Sequence, residues 1–230
     1  MGALRSCVIL AGGAGRRIGS EKAFLEFCGS TMIERTVEIV GEVVDDVVVV
    51  ARDADQLKRL RHLAPEARLT CDPIQGFGPV AGLAAGMAEV EGERSLAVAC
   101  DLPFLNPDVL ELLFDLAEGY DAAIPVWDEG LIEPLHAVYR ADTMARACED
   151  ALARGLRRIR APLEGLSVRS VSVELLRPPD PELLSFFNLN TEEDLDEAGR
   201  IEGRLRSSGE GLGRRCRPPG RRSKSLQESR

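Results

Sequence analysis

The chain has 230 residues, 44% of them hydrophobic and 4% aromatic, and carries a net charge of −9. That length buries one good-sized core, and no apolar run reaches the length of a membrane span. Residues 204–230 alone carry +7, so the rest is strongly acidic, which argues against nucleic acid as the main partner.

The first strand is predicted over residues 7–9, an apolar run. It begins almost at Met1, so no signal peptide is expected. The six cysteines (Cys7, Cys28, Cys71, Cys100, Cys148 and Cys216) form no CxxC pair. They read as free thiols of a reducing cytoplasm, not as a zinc site or a disulfide frame.

Directly after that strand comes LAGGAGRRIGSEK, residues 10–22. Gly12, Gly13 and Gly15 leave a backbone that can wrap closely around an anion and aim amide N–H groups at it. Arg16, Arg17 and Lys22 add positive charge just beyond. Strand, glycine loop and cations suit a nucleotide polyphosphate; the plainer alternative is a glycine-rich turn with two solvated arginines. Two better-known glycine loops do not fit. A P-loop needs Gly before its lysine and Ser or Thr after it, whereas Lys22 lies between Glu21 and Ala23. GxGxxG, started at Gly13, ends on Ile18.

Further along, strands are predicted over residues 47–51, 69–71, 95–100, 122–126 and 137–139, and one near 168–173. Helices are predicted over 31–43, 55–63, 80–90, 107–118 and 141–153. A last helix starts after Thr191, its N-cap with Asp194 three residues on, and runs to about Ile201. Apolar strands alternating with helices give an α/β domain whose mostly parallel sheet is covered on both faces, a three-layer arrangement. Residues 1–202 form the domain. From 203 to 230 apolar periodicity is lost, and Gly, Ser, Pro and Arg dominate a basic segment predicted to be a disordered tail.

In such sheets ligands sit over the carboxyl ends of the strands. The first strand ends in the glycine loop, the third in Asp72 and the fourth in Asp101. A carboxylate ending a buried strand is costly unless paired or metal-bound, and magnesium takes only one or two carboxylates. Asp101 fits that role; the alternative is a turn or N-cap aspartate. In GFGPVAG, residues 76–82, Gly78 and Pro79 could lie against a flat base or simply start a helix. Asn188 and Asn190 sit two apart, so in an extended segment they face the same way, beside a metal or merely in a turn. His136 has no Ser or Cys partner nearby in sequence, which leaves nucleophilic catalysis without support. His62 and Trp127 read as surface or packing residues.

Together these pieces resemble the MobA-like nucleotidyltransferases, the family that includes molybdenum cofactor guanylyltransferase. The resemblance runs through Leu10-Ala11-Gly12-Gly13, Arg16, Gly19 and Lys22, then Asp72, Gly78-Pro79-Val80-Ala81-Gly82, Cys100-Asp101-Leu102-Pro103-Phe104 and Asn188-Leu189-Asn190-Thr191. Ile18, Glu21 and Val50 depart from the family's usual Met, Asp and Asn, the last of these lying near the base. The resemblance implies one Rossmann-like domain binding GTP and Mg2+. It implies that Leu10, Ala11, Gly12 and Gly13 hold the nucleotide through backbone groups and that Lys22 meets its phosphates. It further implies that Asp72 and Gly78 lie on the guanosine side, that Asp101 is the metal ligand, and that Asn188 and Asn190 lie near the second substrate. Catalysis would rest on Arg16, Lys22 and Asp101. The implied reaction is GMP transfer from GTP to the terminal phosphate of molybdopterin with release of pyrophosphate. Other cofactor-assembly proteins are expected partners, nucleic acid and membrane are not, and the location is cytoplasmic. One alternative is a related enzyme using CTP or a sugar-phosphate or isoprenoid acceptor. A second is a catalytically silent nucleotide-binding scaffold.

Overall fold

The computed structural model describes residues 3–13, 21–74 and 76–208. In chain order its elements are β1 (Arg5–Leu10), β2 (Glu26–Phe27), β3 (Ser30–Thr31), α1 (Met32–Val40), β4 (Asp46–Ala51), α2 (Ala54–Leu63), β5 (Arg68–Cys71) and α3 (Pro79–Glu89). Then follow β6 (Arg94–Ala99), α4 (Pro107–Leu116), β7 (Ala122–Val126), β8 (His136–Arg140), α5 (Ala141–Ala153), β9 (Val168–Ser172) and α6 (Glu192–Ser208).

Seven strands form one sheet in the order β5-β4-β1-β6-β8-β7-β9. β1 pairs in parallel with β4 and β6, β4 with β5, and β7 with β9. β8 alone is reversed, antiparallel to both β6 and β7. The α/β class with a mostly parallel sheet therefore holds. The reversal has a consequence for the site: β8 starts, rather than ends, at the rim where the parallel strands end. His136, its first residue, lies opposite Val98 of β6.

Side chains alternate across each strand and so supply both faces. Cys7 and Ile9 of β1 pack with Ile33, Leu60 and Leu110 of α1, α2 and α4. Val8, between them, packs with Leu83 of α3 and Met144 of α5. A third cluster joins Phe27, Met32, Phe104, Leu189 and Ile201, which fastens α6 to the small β2–β3 hairpin.

Local signals fix the helix starts. Thr31 and Glu34 make a reciprocal capping box on α1. Asp53 and Asn106 cap α2 and α4. Thr191 Oγ1 accepts from the Asp194 amide at 3.2 Å, while Asp194 accepts from the amides of Asn190 and Thr191. At its other end α6 passes the expected stop near Ile201 and continues to Ser208. Leu205, one turn beyond Ile201, packs against the third cluster, and Arg204 pairs with Glu182 and Arg206 with Glu202, so apolar and charge contacts together carry the helix on. The boundary expected at residues 202–203 thus falls inside α6, and 209–230, most of the expected tail, lie outside the described residues.

Candidate active site

Three groups meet where β1 and β6 end. Lys22 Nζ donates to Asp101 Oδ2 at 2.5 Å and to Asn190 Oδ1 at 2.7 Å. The Leu189 amide donates to the Asp101 carbonyl at 2.9 Å, which pins the segment before α6 against the end of β6. Only 15% of the Lys22 side chain and 12% of Asp101's are exposed, so the pair is largely shielded from solvent. Asp101 Oδ1 is buried without a hydrogen-bond partner. A charged group in that position lacks part of its solvation, which is the condition under which a carboxylate favours a further ligand.

The glycine loop adjoins this group. A Cβ built on Gly13 would lie 3.4 Å from Lys22 Cδ, so the lysine stem runs along the Gly13 backbone. The Leu10 side chain lies under α3, where its Cδ2 would be 3.1 Å from a Cβ at Gly82. Ala11 extends the β1–β4 pairing through its amide to the Val50 carbonyl at 3.0 Å. A Cβ on Gly12 would make ordinary contact with Arg52. Arg16, with the rest of 14–20, lies outside the described residues.

Gln56 holds this loop, a residue the sequence reading passed over. Its buried amide nitrogen donates to the Ala11 carbonyl at 3.0 Å and to Glu21 Oε2 at 2.8 Å, and its oxygen accepts from the Arg52 amide at 2.6 Å. Arg59 adds an ion pair to Glu21 at 2.5 Å. Glu21 is thereby tied to α2, away from Asp101, and Lys22 is left to face the carboxylate. The signal was weak in sequence because Gln56 sits among charged residues on an otherwise polar helix.

Asp72 and Gly78 belong to the other half of the rim. Asp72 follows β5, with β4 and β1 between it and β6. Its Oδ1 accepts from the Ile74 amide at 2.8 Å, and burial raises its pKa. Gly78 has φ +91°, a conformation that a side chain would strain, and a Cβ there would lie 3.5 Å from the Arg157 carbonyl. Arg157 also covers the Phe77 ring at 4.8 Å. No side chain caps the N-terminus of α3 behind Gly78. Val50 is a core residue here: it is 2% exposed and packs beneath α3.

Asp101 also lines a cavity of about 230 Å³, together with Glu133, His136, Ile159, Phe186 and Asn188 among others. Reversal of β8 is what brings Glu133 and His136 to it. The Phe186 ring lies 4.6 Å from the His136 ring, and Trp127 supports the wall through Nε1 to Glu133 Oε1 at 2.7 Å. Burial pushes His136 down to about 4, so it is neutral at physiological pH. The structure therefore puts Lys22, Asp101, Asn188 and Asn190 together and sets Asp72 and Gly78 across the sheet from them.

No cluster of three or more His, Cys, Asp or Glu able to hold a metal occurs among the described residues. Magnesium does not need one, because waters and phosphate oxygens complete its shell. The orphaned Asp101 oxygen fits such an ion. No helix among the described residues is long and apolar enough to cross a membrane.

A family model described as MobA-like NTP transferase domain matches residues 7–168. A probable molybdenum cofactor guanylyltransferase from Methanosarcina mazei is 43% identical over 199 residues, 84% of this chain and 88% of that protein. A molybdenum cofactor guanylyltransferase from Desulfosudis oleivorans is 38% identical over 197 residues, covering 83% and 92%. Among solved structures, molybdopterin-guanine dinucleotide biosynthesis protein A from Archaeoglobus fulgidus matches with a TM-score of 0.76 at 39% identity, over 86% of this chain and 99% of that one.

Proposed function

Because this chain belongs to the MobA-like NTP transferase family, we propose that it transfers GMP from GTP to the terminal phosphate of molybdopterin, releasing pyrophosphate. The observation that carries this reading is the meeting of Lys22 and Asp101 beside the Gly13 backbone. An oxygen of the acceptor phosphate attacks the α-phosphorus, and the bond from that phosphorus to the oxygen bridging it to the β-phosphorus breaks. The acceptor is already an anion at neutral pH, so no protein nucleophile is required. The protein's task is to align two anions and offset the charge that develops on the leaving group.

In this reading the backbone of 10–13 cradles the phosphates and Lys22 neutralises the departing pyrophosphate, with Arg16 as its partner. Asp72 and Gly78 lie on the base side, over β5 and α3. Asp101 would hold Mg2+, which would supply neutralising charge for the phosphates. Asn188 and the cavity at Glu133, His136 and Phe186 lie on the acceptor side. That cavity is smaller than the ~300–1,000 Å³ of a whole-ligand pocket, so it suits one ring system of the acceptor. The unbridged, buried thiols of Cys7, Cys100 and Cys148 accord with a cytoplasmic setting.

Val50 lies in the core, so its departure from the family's Asn does not by itself favour another base. The test is pyrophosphate release from the full chain with Mg2+, molybdopterin and each nucleoside triphosphate in turn. Release with GTP well above the other three supports the reading. Release with CTP instead would move the protein to the cytidylyl side of the fold, and release with none would leave the nucleotide-binding scaffold.

A further inference from the structure

Lys22 Nζ sits between two oxygens supplied by separate segments, Asp101 Oδ2 after β6 and Asn190 Oδ1 ahead of α6. Both are hard oxygen donors of the kind a divalent cation takes. Here a single ammonium fills the space between them. The ammonium does not complete the carboxylate, since Asp101 Oδ1 stays buried and unpartnered. A divalent ion would satisfy it better, but not with the ammonium in place, because two cations against one shielded carboxylate repel each other. The lysine has somewhere to go. Its stem already lies along Gly13, so the ammonium can swing toward the loop where the phosphates are read to bind.

We propose that Lys22 is a stand-in cation that keeps the Asp101–Asn190 oxygens closed to divalent metal until the nucleotide's phosphates draw its ammonium away. Metal and nucleotide then bind as a coupled pair, each raising the other's affinity by the same factor. This rests on the reading of Asp101 as metal ligand given above. It adds a second role for Lys22 and makes Asn190 a positioning residue for that lysine.

The experiment is a titration of the full chain with Mn2+ in the absence of nucleotide, with free Mn2+ read by electron paramagnetic resonance. Lys22→Met is expected to bind Mn2+ roughly tenfold or more tightly than wild type, the scale on which one neighbouring charge shifts an equilibrium. The gain should vanish in the double variant Lys22→Met/Asp101→Asn. Mn2+ should also raise the melting temperature of Lys22→Met more than that of wild type. Equal or weaker binding by Lys22→Met, or a gain that survives Asp101→Asn, would overturn the proposal. Should Lys22→Met not fold, Lys22→Gln carries the same test, with a smaller gain in the same direction. No turnover is needed, so a chain that transfers no GMP yet shows the gain would refute the assigned reaction and leave this proposal standing.

Discussion

Asp101 and Lys22 share one hydrogen bond, yet their removal should act through different groups. Asp101→Ala removes the proposed metal anchor, and Lys22→Ala removes the cation proposed to offset charge on the leaving group. Each is expected to lower turnover by roughly 10²–10³, the scale of a lost charge-stabilising contact. Circular dichroism should show the fold retained, and full activity in either purified variant would contradict its assigned part. At this scale the sequence was informative where a residue's type and place coincide. Asp101 ends an apolar strand, and Lys22 follows the glycines. Gln56 was not legible, because its work is to satisfy the Ala11 carbonyl and Glu21 across a tertiary gap, which no local pattern encodes. The pairing of Asn190 with Lys22 was hidden for the same reason: 168 residues separate them.

Helix α3 shows how closely one element must approach the sheet to carry the loop in front of it. A Cβ on Gly86 would fall 2.4 Å from Val8 Cγ1 and 2.9 Å from Val50 Cγ2. Both neighbours are branched and buried, so neither can yield cheaply. Gly86→Ala gains about 1 kcal/mol of helix propensity but meets overpacking of about 1–3 kcal/mol. A net loss of up to about 2 kcal/mol in urea unfolding is expected. Gly199, in α6, has nothing within 4 Å of its Cβ position, so Gly199→Ala should instead stabilise by about 0.4–1 kcal/mol. Equal effects at the two sites would contradict the described packing of α3. Among elements, the apolar strands and capped helices were readable within a few residues, apart from the C-terminal end of α6. The reversal of β8 was not, since residues 137–139 show an apolar run but nothing of its direction. The β2–β3 hairpin was missed because its turn is Cys28-Gly29, with φ of +53° and +88°, rather than the usual Asn-Gly.

At the scale of the whole molecule, the proposed function divides one rim of the sheet between two substrates. In that proposal β5, β4 and β1 would carry the nucleotide half, with Asp72, the α3 loop and residues 10–13, and β6, β8 and β7 would carry the acceptor half, with the cavity at Glu133 and His136. Asp101 lies at the boundary, where an α-phosphorus would have to stand between its two oxygens, entering and leaving. That the sheet is mostly parallel was legible from apolar strands alternating with helices; the strand order and the direction of β8, which brings Glu133 and His136 to the cavity, were not. The most direct test follows the phosphorus itself. With Mg2+, molybdopterin and GTP labelled at either the α- or the γ-phosphate, the account predicts α-label in the acceptor product and γ-label in pyrophosphate. Label from the γ-phosphate appearing as orthophosphate, with the α-label left on GDP, would contradict it.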